Sequence, residues 1–210
     1  METSIGLPNL LQKVLLACGI LAALLYGGTD ILAGLLRAGY RFDSQSISLL
    51  SAFGTSTRQF VLPLNLTADI LLIAFAAGAW SSADNNWMMR VTAGLLAGNA
   101  VLSLAAVAFF PMHPEEPVKS PANSMNVILM AISVVFFVLA ICFGAAANRN
   151  WFRYFSIGII LIFAGGILAA LGFKPAAGGQ TRSMVGVQER TMMYCELLWL
   201  ALQAVVLLGE

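Results

Sequence analysis

The sequence predicts an all-α protein, a polytopic bundle of six transmembrane helices in one membrane domain spanning residues 1–210. Three observations lead there. The chain of 210 residues is 60% hydrophobic and only 10% charged, with a mean hydropathy of +0.86. A soluble domain carries about 25% charged residues, so the excess apolar surface must face lipid. Six apolar runs reach the length of about 20 residues that a helix needs to cross hydrocarbon. What lies between them is too short to fold alone.

The spans fall near residues 14–36, 60–80, 91–110, 125–147, 154–173 and 189–208. LLAC at Leu15–Cys18 resembles a lipoprotein cleavage box, but Lys13 lies too close to leave an apolar region before the cut, so the first run is expected to stay as a span. Loop 1, RAGYRFDSQSISLLSAFGTSTRQ, is partly amphipathic and suits a short helix on or in the interface. Loops 2 and 4, SSADNNWMMR and NRNWFR, are short, whereas loops 1, 3 and 5 are long and share one membrane face opposite both termini. In spans 3 and 5, Gly94 with Gly98, and Gly165 with Gly166, read as small-residue stripes that let helices approach. Gly94 and Gly98 also offer a seat for a membrane-protein partner. Cys18, Cys142 and Cys195 sit in apolar runs and read as small hydrophobes.

Two signals of orientation compete. The long-loop face carries Arg37, Arg41, Arg58, Lys119, Lys174, Arg182 and Arg190, and the terminal face only Lys13, Arg90, Arg149 and Arg153. That count alone places the long loops in the cytoplasm. Trp80, Trp87, Trp151 and the tight basic turn NRNWFRY favour cytoplasmic termini instead. The latter orientation, in a bacterial inner membrane, is the one adopted as the expectation.

An ionised group in hydrocarbon costs about 2.5–3.5 kcal/mol on the mildest scale. Asp30, Asp69 and Glu196 lie inside spans, and no lysine or arginine is expected deep enough to pair with them. At 1.5 Å rise per residue they sit about 9, 13 and 10 Å from the long-loop face. Asn65 and Asn126 share that half of the bilayer, and Arg58 and Arg190 mark its rim. These groups converge on a polar cleft opening to the long loops. The structural alternatives are that Asp30, just after Gly27, Gly28 and Thr29, reaches interfacial water where the helix loosens, and that Glu196 meets Arg190 or a neighbouring helix.

FFPMHPEEPVKS at Phe109–Ser120 holds the sole histidine. His113, Glu115 and Glu116 are the only metal-ligand candidates. Pro111, Pro114 and Pro117 keep the segment out of helix, so the residues read first as a solvated loop ending span 3. A single histidine leaves no bis-histidine haem and no multi-histidine metallohydrolase. There is no mid-membrane lysine for a Schiff base, no phosphate loop, no G-x-S-x-G and no H-E-x-x-H. No cofactor and no nucleic-acid partner is expected.

Four stretches together resemble the bacterial and archaeal six-helix membrane family catalogued as domain of unknown function number nine-nine-eight. They are DILAGLLRAGY with Asp30 and Tyr40, SQSISLLSAFGTSTR, the FFP at Phe109–Pro111, and GVQERTMMYCELLWL. The resemblance implies a fold and a membrane location but no activity. The chain departs from it at Leu49, where the family loop carries Glu, and at Ser51, where it carries Gly. Met112 and His113 follow Phe-Pro in place of an acidic residue, and NSMNV lacks a histidine before span 4. A catalytic centre built on that Glu and His would be altered here.

Four functions stay open. The first is binding of a membrane lipid or small amphiphile in the cleft, through Asp69, Asp30, Glu196, Arg190, Asn65 and Asn126; such a cleft suits a zwitterionic or cationic head group. The others are an accessory subunit, a small proton-linked transporter and an intramembrane lipid enzyme. The residues lean away from an enzyme.

Overall fold

The computed structural model describes residues 7–117, 119–148, 151–172 and 184–209. It contains six long helices: α1 (Leu7–Leu36), α2 (Arg58–Ser81), α3 (Trp87–Phe109), α4 (Pro121–Ala147), α5 (Trp151–Gly172) and α6 (Val185–Leu208). A single 3-10 turn, Ile47–Leu50, interrupts loop 1. No strand occurs among the described residues. All six helices are long and apolar enough to cross a membrane, and the protein is an integral membrane bundle. Of the residues used for orientation, Arg149, Lys174 and Arg182 lie outside the described residues.

Each helix begins upstream of its apolar run: α1 at Leu7 rather than residue 14, α6 at Val185 rather than 189. Hydropathy marks the hydrocarbon, while the helix runs on into the interface, where polar side chains cap it. The Asn86 side chain accepts from Met89 N–H at the start of α3, and Ser120 accepts from Asn123 N–H ahead of Pro121 in α4. In α1 the Gly27–Thr29 stretch does not loosen. The helix is continuous, and the Thr29 hydroxyl donates to the Leu25 carbonyl at 2.7 Å. Backbone groups in lipid must be satisfied within the segment, and that requirement outweighs the low helix propensity of two glycines.

Consecutive helices pack on one another, and α6 closes the ring against α1. The short-loop half is a dry core. Trp199 is fully buried, edge-on to Phe137 at 5.6 Å, and its indole N–H donates to Ser156 Oγ at 2.9 Å. Gly144 makes room for it, since a Cβ there would lie 2.7 Å from the indole. α1 and α2 also approach closely. A Cβ on Gly78 would meet Leu16 N at 3.0 Å, and one on Gly19 would meet the Phe75 ring at 2.7 Å. Trp80, Trp87 and Trp151 are all exposed at this end, as an interfacial belt requires. The other half, toward the long loops, holds the buried Asp30–Arg190 pair, while Thr92, Asn148, Ser156 and Gln203 are buried polar residues of the short-loop half.

Candidate functional site

Loop 1 does not lie on the interface as an amphipathic helix. It folds back over the bundle. Leu50 is 1% exposed and packs with Ala33 of α1 and Val61 of α2. Arg37 donates to the Leu49 carbonyl, Arg58 Nη1 to the Ser51 carbonyl at 2.5 Å and Thr57 Oγ1 to the Leu50 carbonyl at 2.7 Å. On the α6 side, Val187 N–H donates to the Asp43 carbonyl (3.2 Å), and Ile47 N–H donates to Glu189 Oε2 (2.8 Å). Glycine is required where the loop touches helix. A Cβ on Gly186 would lie 2.3 Å from the Phe42 carbonyl oxygen, and one on Gly34 would lie 2.2 Å from the Phe42 ring.

Arg190 is the centre of this strap. Its Nε donates to Asp30 Oδ2 at 3.1 Å and its Nη2 to Asp30 Oδ1 at 2.9 Å. Nη2 also donates to Tyr40 Oη (2.6 Å), and Nη1 to the carbonyls of Phe42 (2.9 Å), Gln45 (3.2 Å) and Gly186 (3.3 Å). The guanidinium lies 4.8 Å from the Phe42 ring centroid and 5.4 Å from that of Tyr40. Tyr194 adds a third hydrogen bond to Asp30 at 2.9 Å. Burial pushes the Tyr40 phenol above its ordinary value, so it stays protonated and donates to the Ser46 carbonyl at 2.9 Å. Every donor of the guanidinium fork is used, the arrangement in which a buried ion pair holds together. The expectation that no cation pairs with the span carboxylates is therefore wrong for Asp30. Because α6 starts four residues early, Arg190 lies within the helix at the level of Asp30, not at a rim.

The other two carboxylates are placed differently. Counting from the helix ends, Asp69 and Glu196 lie about 16 Å deep and Tyr26 about 15 Å, near the middle of the bilayer. Asp69 is 4% exposed, and its one hydrogen bond among the described residues comes from Ser103 Oγ at 3.3 Å. Glu196 does not meet Arg190. Neither Asp69 nor Glu196 forms an ion pair with a Lys, Arg or His among the described residues. Asn65 is 7% exposed and one turn from Asp69 on the same face of α2. Tyr26, Asn65 and Glu196 make no side-chain hydrogen bond to any described residue, yet among the described residues Gln203 Nε2 is the only fully enclosed side-chain atom left without a partner. The ends of those three side chains therefore border open space. Tyr26, Asn65, Asp69, Ser103 and Glu196 thus supply polar side chains from α1, α2, α3 and α6 at levels below the Asp30–Arg190 pair, the candidate lining of a chamber.

The remaining expected site residues lie apart. Asn126 Nδ2 donates to the last carbonyls of α3, Ala106 (3.3 Å) and Phe110 (2.6 Å), which it caps. The His113 ring stacks on Phe53 at 4.7 Å, and Nδ1 is 3.9 Å from Glu116 Oε1. Asn123 holds the His113 backbone from both sides, and Phe53 N–H donates to the Met112 carbonyl at 2.8 Å. Loop 3 is thereby sewn to loop 1. An open pocket of about 290 Å³ lies there, bounded by Leu49, Met112, His113, Glu116 and Asn123. Glu115 points to solvent, and no group of three or more potential metal ligands occurs among the described residues. Gly98 faces α4, where a Cβ would lie 2.5 Å from Phe136, while Gly94 is exposed.

Tyr26 and Ser103 were not foreseen. Tyr26 is one turn from Asp30 on α1, a spacing that could have flagged it; Ser103 carries no such mark. The four motifs that carry the family resemblance meet at the long-loop end: Asp30, Gly34 and Tyr40 from the first, Ser46–Leu50 and Phe53 from the second, Pro111 from the third, and Gly186, Glu189 and Arg190 from the fourth. No curated protein and no solved structure matches the chain. A family model described as "Protein of unknown function (DUF998)" matches residues 20–206, nearly the whole chain, and the protein belongs to that family.

Proposed function

We propose that this membrane protein binds a lipid or small amphiphile, its head group in the chamber under loop 1 and its tail among the helices. One observation supports the reading above the others. Three polar side-chain ends, on Tyr26, Asn65 and Glu196, have no hydrogen-bond partner among the described residues and lie in the same inner part of the spans as Asp69. A buried polar group left unpaired costs about 1–3 kcal/mol, so a chamber of this kind is offset best by a ligand that supplies the partners. Asp30, Arg190 and Asn126 then serve as the frame, closing the chamber toward the long loops. With the termini in the cytoplasm of a bacterial cell, that closed mouth faces away from the cytoplasm.

The test is native mass spectrometry from mild detergent on wild type and Asp69→Asn. A discrete added mass on the wild type, lost from a folded Asp69→Asn protein, is the expected result. A bare chain in both spectra, or the same larger partner in both, would remove the reading.

A further inference from the structure

The open pocket of about 290 Å³ at the long-loop end lies apart from the carboxylates of the inner spans. Loop 1 supplies Leu49, loop 3 supplies Met112, His113 and Glu116, and α4 supplies Asn123 and Val127. Its walls are fixed by bonds that need no ligand. Asn123 is 4% exposed; its side chain accepts from His113 N–H at 2.8 Å and donates to the carbonyls of His113 (3.0 Å) and Pro117 (3.2 Å). Ser48 Oγ reaches Met112 Sδ at 3.5 Å, and Phe53 holds loop 3 through its N–H and its ring. Pro111, Pro114 and Pro117 fix φ along the loop. A site held this way before binding loses little freedom when it is filled. Its volume falls near the lower end of the range of about 300–1,000 Å³ for ligand pockets.

The lining divides by depth. Leu49, Met112 and Val127 are apolar. Val127 lies about 9 Å into α4 and is 52% exposed, so that side of the pocket opens toward lipid. His113 and Glu116 stand on loop 3, beyond the helix ends, on the water side. His113 Nδ1 and Glu116 Oε1 are 3.9 Å apart, too far for a direct hydrogen bond, so each keeps capacity for a third group. Glu115 beside them is exposed. The cations of loop 1 are spent elsewhere: Arg37 and Arg58 donate to the Leu49 and Ser51 carbonyls, and Arg41 pairs with Asp43. Lys119 is the one cation of loop 3, and it is exposed. Such a rim favours a positive head group over an anionic one. Bridging an imidazole nitrogen and a carboxylate takes at least two N–H donors; a primary ammonium has three, and a hydroxyl has one.

We propose that this pocket binds one amphiphile at the membrane boundary, a short alkyl chain carrying a primary ammonium group. The chain lies along Leu49, Met112 and Val127, and the ammonium donates to Glu116 and His113. This site is separate from the chamber of the inner spans, and neither reading needs the other.

His113 is the sole histidine, so its ring is a single reporter at the mouth of the pocket. The experiment is an NMR titration of the full chain in maltoside detergent at one fixed pH, with the histidine ring labelled and the protein purified without a histidine tag. The probes are hexylammonium, hexyltrimethylammonium, which carries the charge without N–H donors, and hexanoate. Hexylammonium is expected to shift the ring signal saturably, hexyltrimethylammonium to bind about tenfold more weakly, and hexanoate to give no saturable shift. Val127→Trp, which fills the apolar side from a lipid-exposed position, is expected to abolish the shift. Glu116→Gln is expected to erase the preference for hexylammonium. No saturable shift with any probe overturns the site. Equal shifts by all three, or a preference for hexanoate, overturn the head group, and hexyltrimethylammonium matching hexylammonium overturns the bridge. A shift unchanged in Val127→Trp places the ligand elsewhere and overturns the proposal as well. Should Val127→Trp fail to fold, Glu116→Gln decides from its exposed loop position, and an unchanged preference there contradicts the proposal.

Discussion

Asp30 and Asp69 are almost equally buried, 3% and 4% exposed, and both lie in apolar helices of the same bundle. Their surroundings are opposites. Asp30 accepts three hydrogen bonds from Arg190 and Tyr194, and through Arg190 it is tied to Tyr40 and to three backbone carbonyls. Asp69 accepts one, from a serine, and has no cationic partner among the described residues. Burial alone does not distinguish a residue that builds the protein from one that serves a ligand; the completeness of its partners does. The Asp30 region is finished without a ligand. The Asp69 region is not.

The largest effect is expected at the finished site. Removing one member of a buried pair leaves the other uncompensated and costs about 3–5 kcal/mol. Arg190→Met is expected to lose that much stability by thermal unfolding in detergent, and the double variant Arg190→Met with Asp30→Leu to recover part of it. A double variant no better than the single one would contradict the pairing. Next comes Gly186→Ala, whose Cβ would press on the loop 1 backbone. Overpacking of this kind costs about 1–3 kcal/mol, and hydrogen exchange is expected to quicken over residues 40–50. Gly28→Ala is its control, since a Cβ at Gly28 meets nothing within 4 Å, and it should leave exchange unchanged.

At the unfinished site the expectation reverses. Glu196→Gln keeps the shape and removes a carboxylate that has no partner among the described residues, so the fold is expected to hold within about 1 kcal/mol or to gain, while binding of an amphiphile is expected to weaken. Thermal unfolding run with and without added amphiphile reads both. Smallest of all is Glu116→Gln. Its carboxylate is exposed and 3.9 Å from the His113 ring, and stability should stay within about 0.5 kcal/mol.

Much of this was legible in the sequence. The six spans, the presence of three carboxylates within them and the motif order are local or periodic features, and the bundle follows them, although Asp69 and Glu196 lie deeper than Asp30. Arg190 was misplaced because hydropathy ends a span where charge begins, whereas the α6 helix starts at Val185 and carries the arginine inside. Its partner is 160 positions away, a pairing that no spacing rule reaches. Of the GxxxG of span 3, Gly98 marks a close approach and Gly94 does not, while Gly19, Gly34, Gly78 and Gly186 matter as much and carry no such motif. Each is explained by a ring or backbone from another helix or a loop. Tyr26 and Ser103 went unnoticed because uncharged polar side chains barely alter hydropathy, and only their neighbours give them meaning.

The most direct measurement is thermal unfolding of purified Asp30→Asn and Asp69→Asn side by side in the same mild detergent. The account predicts that Asp30→Asn melts well below wild type, because Arg190 loses its carboxylate, while Asp69→Asn melts at or above wild type measured without ligand. An Asp69→Asn protein destabilised as much as Asp30→Asn would contradict it, and would make both aspartates parts of the frame.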